Sequence, residues 1–218
     1  MKKLIIAISS VLMLLATSAN SMELTPTIGI SGNKGVYAAT GIENNFNEAG
    51  TAIDETTKEY GAFAPNFGSI FVELGLGDVL SIGVDYVPSA LETPKNTSND
   101  GGVNTNHVEA HFEDLTTIYA KFNLPLGGTY LLIGHSHVDV TSIENMSSGN
   151  SYGNDETSGM TFGIGYDHEV ANGFSIRAQV TGTEFDDVKT SNGQTNKTEI
   201  KVEDMIGARG TISIVKAF

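Results

Sequence analysis

The chain has 218 residues, 39% of them hydrophobic, with 25 glycines, no cysteine and a formal net charge of −14. That length suits a single domain. The lack of cysteine excludes a disulfide framework and a thiolate metal centre, and the negative charge argues against nucleic-acid partners and against attraction to anionic phosphate surfaces.

The chain opens on a targeting segment. Lys2 and Lys3 form a basic start, Leu4–Ala16 an apolar run, and Thr17-Ser18-Ala19 a small-residue cleavage site, with Ala19-Asn20-Ser21 as a second candidate. The run is short for a membrane span and no stop-transfer pattern follows. Residues 1–19 therefore read as a signal peptide, with cleavage after 21 as the alternative, and residues 20–218 as one β-barrel domain. No later stretch is apolar for long enough to form a membrane helix, so a mature protein that sits in a membrane must do so as a closed barrel.

The first strand is expected over Thr25–Gly41, with Ile28, Ile30, Val36 and Ala38 on one face. Lys34 falls on the same face inside Gly32-Asn33-Lys34-Gly35, which predicts a bulge there. Ile42–Phe67 has no sustained period. It carries Glu43, Glu48, Asp54, Glu55 and Glu59 against Lys58, and reads as a long acidic loop. Ser69–Leu76 and Val79–Leu91 give the clearest hairpin. Ile70, Val72, Leu74 and Leu76 alternate with Ser69, Phe71, Glu73 and Gly75. After a turn at Gly77-Asp78, Leu80, Ile82, Val84 and Tyr86 alternate with Ser81, Gly83 and Asp85. Glu92–His107 is a second polar loop.

Val108–Leu124 sets Ile118, Ala120 and Phe122 against Thr117, Tyr119, Lys121 and Asn123, and ends at the turn Pro125-Leu126-Gly127-Gly128. Thr129–Ser142 places Tyr130, Leu132, Val138 and Val140 on one face, and Met146–Thr157 is a third polar loop. Gly159–Val170 sets Met160, Phe162, Ile164 and Tyr166 against Thr161, Gly163, Gly165 and Asp167. Across the turn Ala171-Asn172-Gly173, Phe174–Thr183 sets Phe174, Ile176, Ala178 and Val180 against Ser175, Arg177, Gln179 and Thr181. Asp186–Lys197 is the last polar loop. Glu199–Phe218 closes the chain, with Ile206, Ala208, Ile212, Ile214 and Phe218 on one face.

Long loops follow the odd strands and short turns the even ones, so all the long loops gather at one end. A strand with one apolar face and one small, polar face suits lipid outside and a polar interior inside. The expected fold is all-β, an eight-stranded antiparallel up-and-down transmembrane β-barrel. The alternative is a soluble exported barrel that turns apolar residues inward around a small ligand. The polar faces here are poor in bulk for that.

With these strands in place, the chain resembles the small eight-stranded outer-membrane barrels, the OmpX/Ail and opacity-type surface proteins and the OmpA transmembrane domain. Thr161-Phe162-Gly163-Ile164-Gly165-Tyr166 resembles the glycine-alternating strand of that group, and Phe174-Ser175-Ile176-Arg177-Ala178 the strand after it. Phe218, with Ile214 and Ile212 stepping back at two-residue spacing, is similar to the C-terminal aromatic signal read by outer-membrane assembly machinery. Lys216 departs from the apolar or aromatic residue usual there. The resemblance implies an outer-membrane location in a Gram-negative-type cell, loops extracellular and both termini periplasmic, with outer-membrane lipid and the assembly machinery as partners. It implies a structural or surface-interaction role of the adhesion or opacity kind, and leaves the extracellular partner unnamed.

Glu73, Asp85, Lys121, Asp139, Arg177 and Arg209, with His135 and His137, are the expected inward polar set, a network that fills the lumen rather than an ion path. His135, His137 and Asp139 also offer three potential ligands at spacing two. One strand alone sets them in a row, so no metal site is assigned, and His107 and His111 do not demand one. A lipid A deacylase pattern of His-x-Ser is not matched by His135-Ser136-His137 with Glu144, because His and Ser point to opposite faces. Asp54 and Glu55 fit no calcium loop. The expectation is no catalysis and no cofactor, with function carried by the long loops.

Overall fold

The computed structural model describes residues 23–100, 104–145, 152–193 and 197–218. The signal-peptide reading and the span 146–151 of the third polar loop lie outside the described residues. In chain order the strands are β1 (Leu24–Phe46), β2 (Ile53–Phe63), β3 (Asn66–Leu76), β4 (Leu80–Tyr86), β5 (Leu91–Glu92), β6 (Asn96–Asp100), β7 (Asn104–Asn123), β8 (Thr129–Asn145), β9 (Asp155–Ala171), β10 (Phe174–Phe185), β11 (Val188–Ser191) and β12 (Thr198–Ala217).

Eight of these close a ring: β1, β3, β4, β7, β8, β9, β10 and β12, with β12 pairing back onto β1. Every ladder around it is antiparallel. Closure leaves the ring without an exposed edge. The turns are tight. In the β9–β10 turn Asn172 and Gly173 both take positive φ, 51° and 74°, the backbone of an Asn-Gly hairpin. At the β7–β8 turn Gly128 has φ 89°, and a Cβ there would stand 2.3 Å from the Asp167 carbonyl oxygen.

Three expectations about the loops, Ile42–Phe67, Glu92–His107 and Asp186–Lys197, are corrected. Ile42–Phe67 is not a loop but a hairpin: β1 runs on to Phe46, and its Tyr37–Phe46 half pairs with β2 while its Leu24–Lys34 half pairs with β3. Likewise β5 and β6 pair only with the upper half of β7, and β11 only with that of β12. These four strands stand beyond the ring at the long-loop end. They were invisible to periodicity because β5 and β11 have only two and four residues, and every residue of β2 from Ile53 to Ala62 is exposed, so neither of its faces is a buried apolar one. At the β11–β12 hairpin, Lys189 (2.9 Å) and Lys197 (3.1 Å) pair with Glu199; led by the Lys189 hydrogen bond, they hold its carboxyl below the usual carboxylate range.

The bulge expected at Gly32–Gly35 is absent. The ladders run through Lys34 without a shift, the break in register falls between Ala38 and Thr40, and exposed Lys34 donates to Asn66 Oδ1 at 3.4 Å. The exterior is apolar. Ile30 (61%), Phe162 (58%), Val180 (60%) and Ile212 (59%) are open on the outside of the ring, while Glu73, Asp85, Lys121, Arg177 and Arg209 are buried within it. Soluble monomers rarely expose continuous apolar surface on this scale.

Candidate functional site

The interior is layered from the turn end to the long-loop end, most plainly along β3 and β7. Along β3 the inward residues run Glu73, Phe71, Ser69, Phe67; along β7, Lys121, Tyr119, Thr117, Leu115; along β9, Asp167, Gly165, Gly163, Thr161, Thr157. Charge and aromatic bulk therefore sit at the turn end, hydroxyls in the middle and apolar side chains at the long-loop end.

The charged layer is a closed network. Arg177 donates through Nη2 to Glu73 Oε2 at 3.0 Å, and through Nε to Asp167 Oδ1 at 2.6 Å. Lys121 Nζ sits 3.2 Å from Glu73 and 3.1 Å from Asp167. The Tyr119 hydroxyl donates to Glu73 at 2.7 Å. The Arg177 guanidinium also stacks 4.8 Å over Phe71 and 5.2 Å over Tyr130. A second pair lies above it, where Arg209 donates to Asp85 Oδ1 at 2.8 Å, and Ser69, itself bonded by Asn33, donates to the other carboxylate oxygen at 2.8 Å. Three carboxylates, Glu73, Asp85 and Asp167, thus face three cations, Lys121, Arg177 and Arg209. Each buried charge has an opposite partner, which such burial demands. The hydroxyl layer continues as a chain, Thr117–Ser136–Thr161–Thr183, with spacings of 2.7, 2.7 and 2.8 Å.

Together these layers fill the bore. A void of about 10 Å³ among Phe71, Asp85, Tyr119, Arg177 and Arg209 has the room of about one water. Inward glycines make space for the rings: a Cβ at Gly29 would fall 2.2 Å from Phe71, at Gly83 2.5 Å from Tyr119, and at Gly165 2.2 Å from Tyr130.

Above the filled layers lies a cavity of about 420 Å³, bounded by Tyr37 and Ala38 of β1, Ala62 and Phe63 of β2, and Phe112 of β7, with contributions from β8, β9, β10 and β12. Its floor is a packed cluster of Phe67, Val87, Leu91, Leu115 and Val138, with Tyr37, Phe63, Phe112 and Phe185 against it. Phe63 stacks between Tyr37 (5.5 Å) and Phe112 (5.6 Å). The cavity exists because β2 and β5 extend the wall past the ring. The cavity is not legible in the sequence because Gly61, Ala62 and Phe63, with Thr93 and Pro94, complete its wall from stretches that read there as loops.

Of the expected inward residues, Glu73, Asp85, Lys121, Arg177 and Arg209 lie in the interior, joined by Asp167. His135, His137 and Asp139 do not. They share the outward face of β8 with Leu131 and Ile133, while Tyr130, Leu132, Ser136 and Val138 point inward. The stretch Tyr130–Ile133 is apolar on both faces, so hydrophobicity leaves its parity open. The ladder decides it, setting Leu132 opposite Lys121 and Ser136 opposite Thr117. Ser136 Oγ, 2% exposed inside the barrel, is thereby separated from both histidines. At the turn end Lys216 donates to the Asn172 carbonyl at 2.6 Å and lies over the rings of Phe174 (4.8 Å) and Phe218 (5.4 Å), so a cation is accommodated where an apolar residue was expected.

No curated protein matches the chain. Among solved structures it is similar to the outer membrane protein OprG from Pseudomonas aeruginosa, at 13% identity and a TM-score of 0.54, covering 88% of this chain and 95% of that one. It is also similar to the outer membrane protease OmpT from Escherichia coli, at 9% identity and a TM-score of 0.47, covering 93% and 100%. A third is Ail, the attachment invasion locus protein of Yersinia pestis, solved with the heparin analogue sucrose octasulfate, at 13% identity and a TM-score of 0.38, covering 87% and 99%. The family profile described as the outer membrane protein beta-barrel domain matches residues 9–202. With its apolar exterior, polar filled bore and closed antiparallel ring, the chain belongs to the outer membrane beta-barrel family.

Proposed function

We propose that this protein is a non-catalytic outer-membrane barrel that takes up a small apolar molecule at its cell-surface mouth. The observation that carries this reading is the apolar cavity of about 420 Å³ above a filled bore. Its volume falls in the usual range for small-molecule sites, roughly 300–1,000 Å³, and aromatic walls with few polar groups suit an uncharged, weakly polar ligand. The charged layer below serves as a plug, so the ligand is held at the mouth and does not meet an aqueous pore. The reading carries an orientation: hairpins β1–β2 and β11–β12 extracellular, the short turns and both ends of the mature chain periplasmic, with Phe218 as the signal for assembly and residues 1–19 removed on export.

Fluorine NMR tests this in lipid nanodiscs with hexafluorobenzene as probe. A saturable bound resonance, distinct from lipid-partitioned probe, is expected for the native chain. It disappears in Ala110→Phe, whose added ring occupies the cavity from the inward face of β7. A spectrum identical in both proteins rejects the reading.

A surface-interaction role has its own support in β2, which stands open with Tyr60 79% exposed among Asp54, Glu55 and Glu59. Tyr60, with Lys58 Nζ 5.7 Å over its ring, is an exposed aromatic anchor for a surface partner.

A further inference from the structure

The outward face of β8 carries histidine and aspartate where the apolar belt ends. Leu131 and Ile133 are exposed on that face, then His135, His137 and Asp139 follow at two-residue spacing. A single strand sets such groups in a row and makes a poor ligand set. The neighbouring strand changes this. In the β8–β9 ladder Asp139 stands directly opposite Glu156, and His137 opposite Ser158. The His137 Nε2 atom lies 3.2 Å from Asp139 Oδ1 and 3.8 Å from Glu156 Oε2. One donor atom from each of the three residues falls within 4.8 Å of the others.

We propose that His137, Asp139 and Glu156 form a binding site for a divalent transition-metal ion such as zinc, on the outside of the barrel at the long-loop rim.

Three features of the cluster carry this. The first is geometric. Ligands held about 2.0–2.2 Å from one tetrahedral ion stand roughly 3.4 Å apart, and the spacings here need only small side-chain adjustments to meet that. The second is chemical. One imidazole nitrogen with two carboxylates is a borderline donor set, suited to zinc and its neighbours rather than to calcium, which wants six to eight oxygens. The third is electrostatic. Glu113 of β7 is directly opposite Asp139 on the other side, so Glu113, Asp139 and Glu156 make one row of carboxylates across three adjacent strands. Like charges directly opposite one another destabilise a sheet, and a bound dication offsets that cost while tying β8 to β9. Side-chain exposures of 37% for His137 and 34% for Asp139 leave the ion an open approach and free coordination positions for water.

His135 supplies an internal control. It shares the face, two residues nearer the belt, but is opposite Ile118 and Met160 and is no member of the cluster.

Calorimetric titration of zinc chloride into tag-free protein, refolded in detergent at neutral pH, tests the proposal. One saturable site is expected in the native chain and in His135→Ala. His137→Ala and Glu156→Gln are each expected to lose about tenfold or more in affinity, about 1.4 kcal/mol or more. Heat-modifiable migration of each variant on a detergent gel checks that it has folded. Cobalt substitution gives a second reading, with visible absorption bands that change on losing the imidazole in His137→Ala. Absence of saturable binding in the native chain overturns the proposal. So does equal affinity in His137→Ala, or a loss in His135→Ala as large as in His137→Ala.

Discussion

Arg177 on β10 reaches across the barrel interior to Glu73 on β3, Nη2 to Oε2 at 3.0 Å, over a sequence separation of 104 residues. Arg177 also holds Asp167, so its removal leaves two carboxylates facing Lys121 alone. Breaking a buried pair from one side costs about 3–5 kcal/mol, whereas replacing both partners by apolar groups is often close to neutral. Arg177→Met should therefore lower the refolding free energy in bilayers by about that amount. The double variant Glu73→Met, Arg177→Met should recover a large part, since Lys121 and Asp167 still pair. Urea titrations of the three proteins in one lipid decide it; a double variant as unstable as the sum of the singles contradicts the account.

The same network closes the bore. Eight strands leave an interior that side chains fill, and here the gap beside Arg177 has the room of about one water. Planar-bilayer recordings of pure protein should show no steady conductance. A large, always-open current would reject the plug.

The exterior should answer to lipid by position. Ile82 is 38% exposed on the outer face, and arginine there should cost about 2–4 kcal/mol near the bilayer midplane. Val84 shares that face by alternation yet is only 3% exposed, so Val84→Ala should cost stability through lost packing, about 0.5–1.5 kcal/mol by analogy with small core truncations. Equal refolding free energies for the native chain and Ile82→Arg would contradict the lipid-facing assignment.

Much of this ring was legible in the sequence, because strands such as Ser69–Leu76 and Gly159–Val170 are apolar on one face only. The interior was less so. Its glycines looked like missing bulk, but Gly29, Gly83 and Gly165 are covered by Phe71, Tyr119 and Tyr130 from neighbouring strands. Packing of that kind depends on register, which a single strand does not carry. The parity of β8 was lost for the same reason, and with it the outward placement of His135, His137 and Asp139. The cavity was out of reach because β2, which forms part of its wall, lacks any alternation that would mark it as a strand.

Hairpin β1–β2 should be separable from the ring. Replacing Asn45–Ala62 with a Gly-Ser linker of about eight residues, long enough to run back from Asn44 to Phe63, removes most of the β2 ladder but keeps β1 paired with β12 through Asn44 and with β3 through Lys34. The shortened protein should insert and stay heat-modifiable, while losing the cavity wall formed by Gly61 and Ala62. Failure to insert would place the hairpin in the scaffold.

The most direct test of an apolar site above a closed bore uses the absence of tryptophan from the chain. Phe185→Trp puts one fluorophore on the cavity wall, and a brominated short alkane quenches it on contact. In nanodiscs the account predicts quenching that saturates with alkane concentration, and its loss when Ala110→Phe is added to fill the cavity. Quenching that rises linearly and equally in both proteins would mean simple partition into lipid, and would contradict a binding site at the mouth of the barrel.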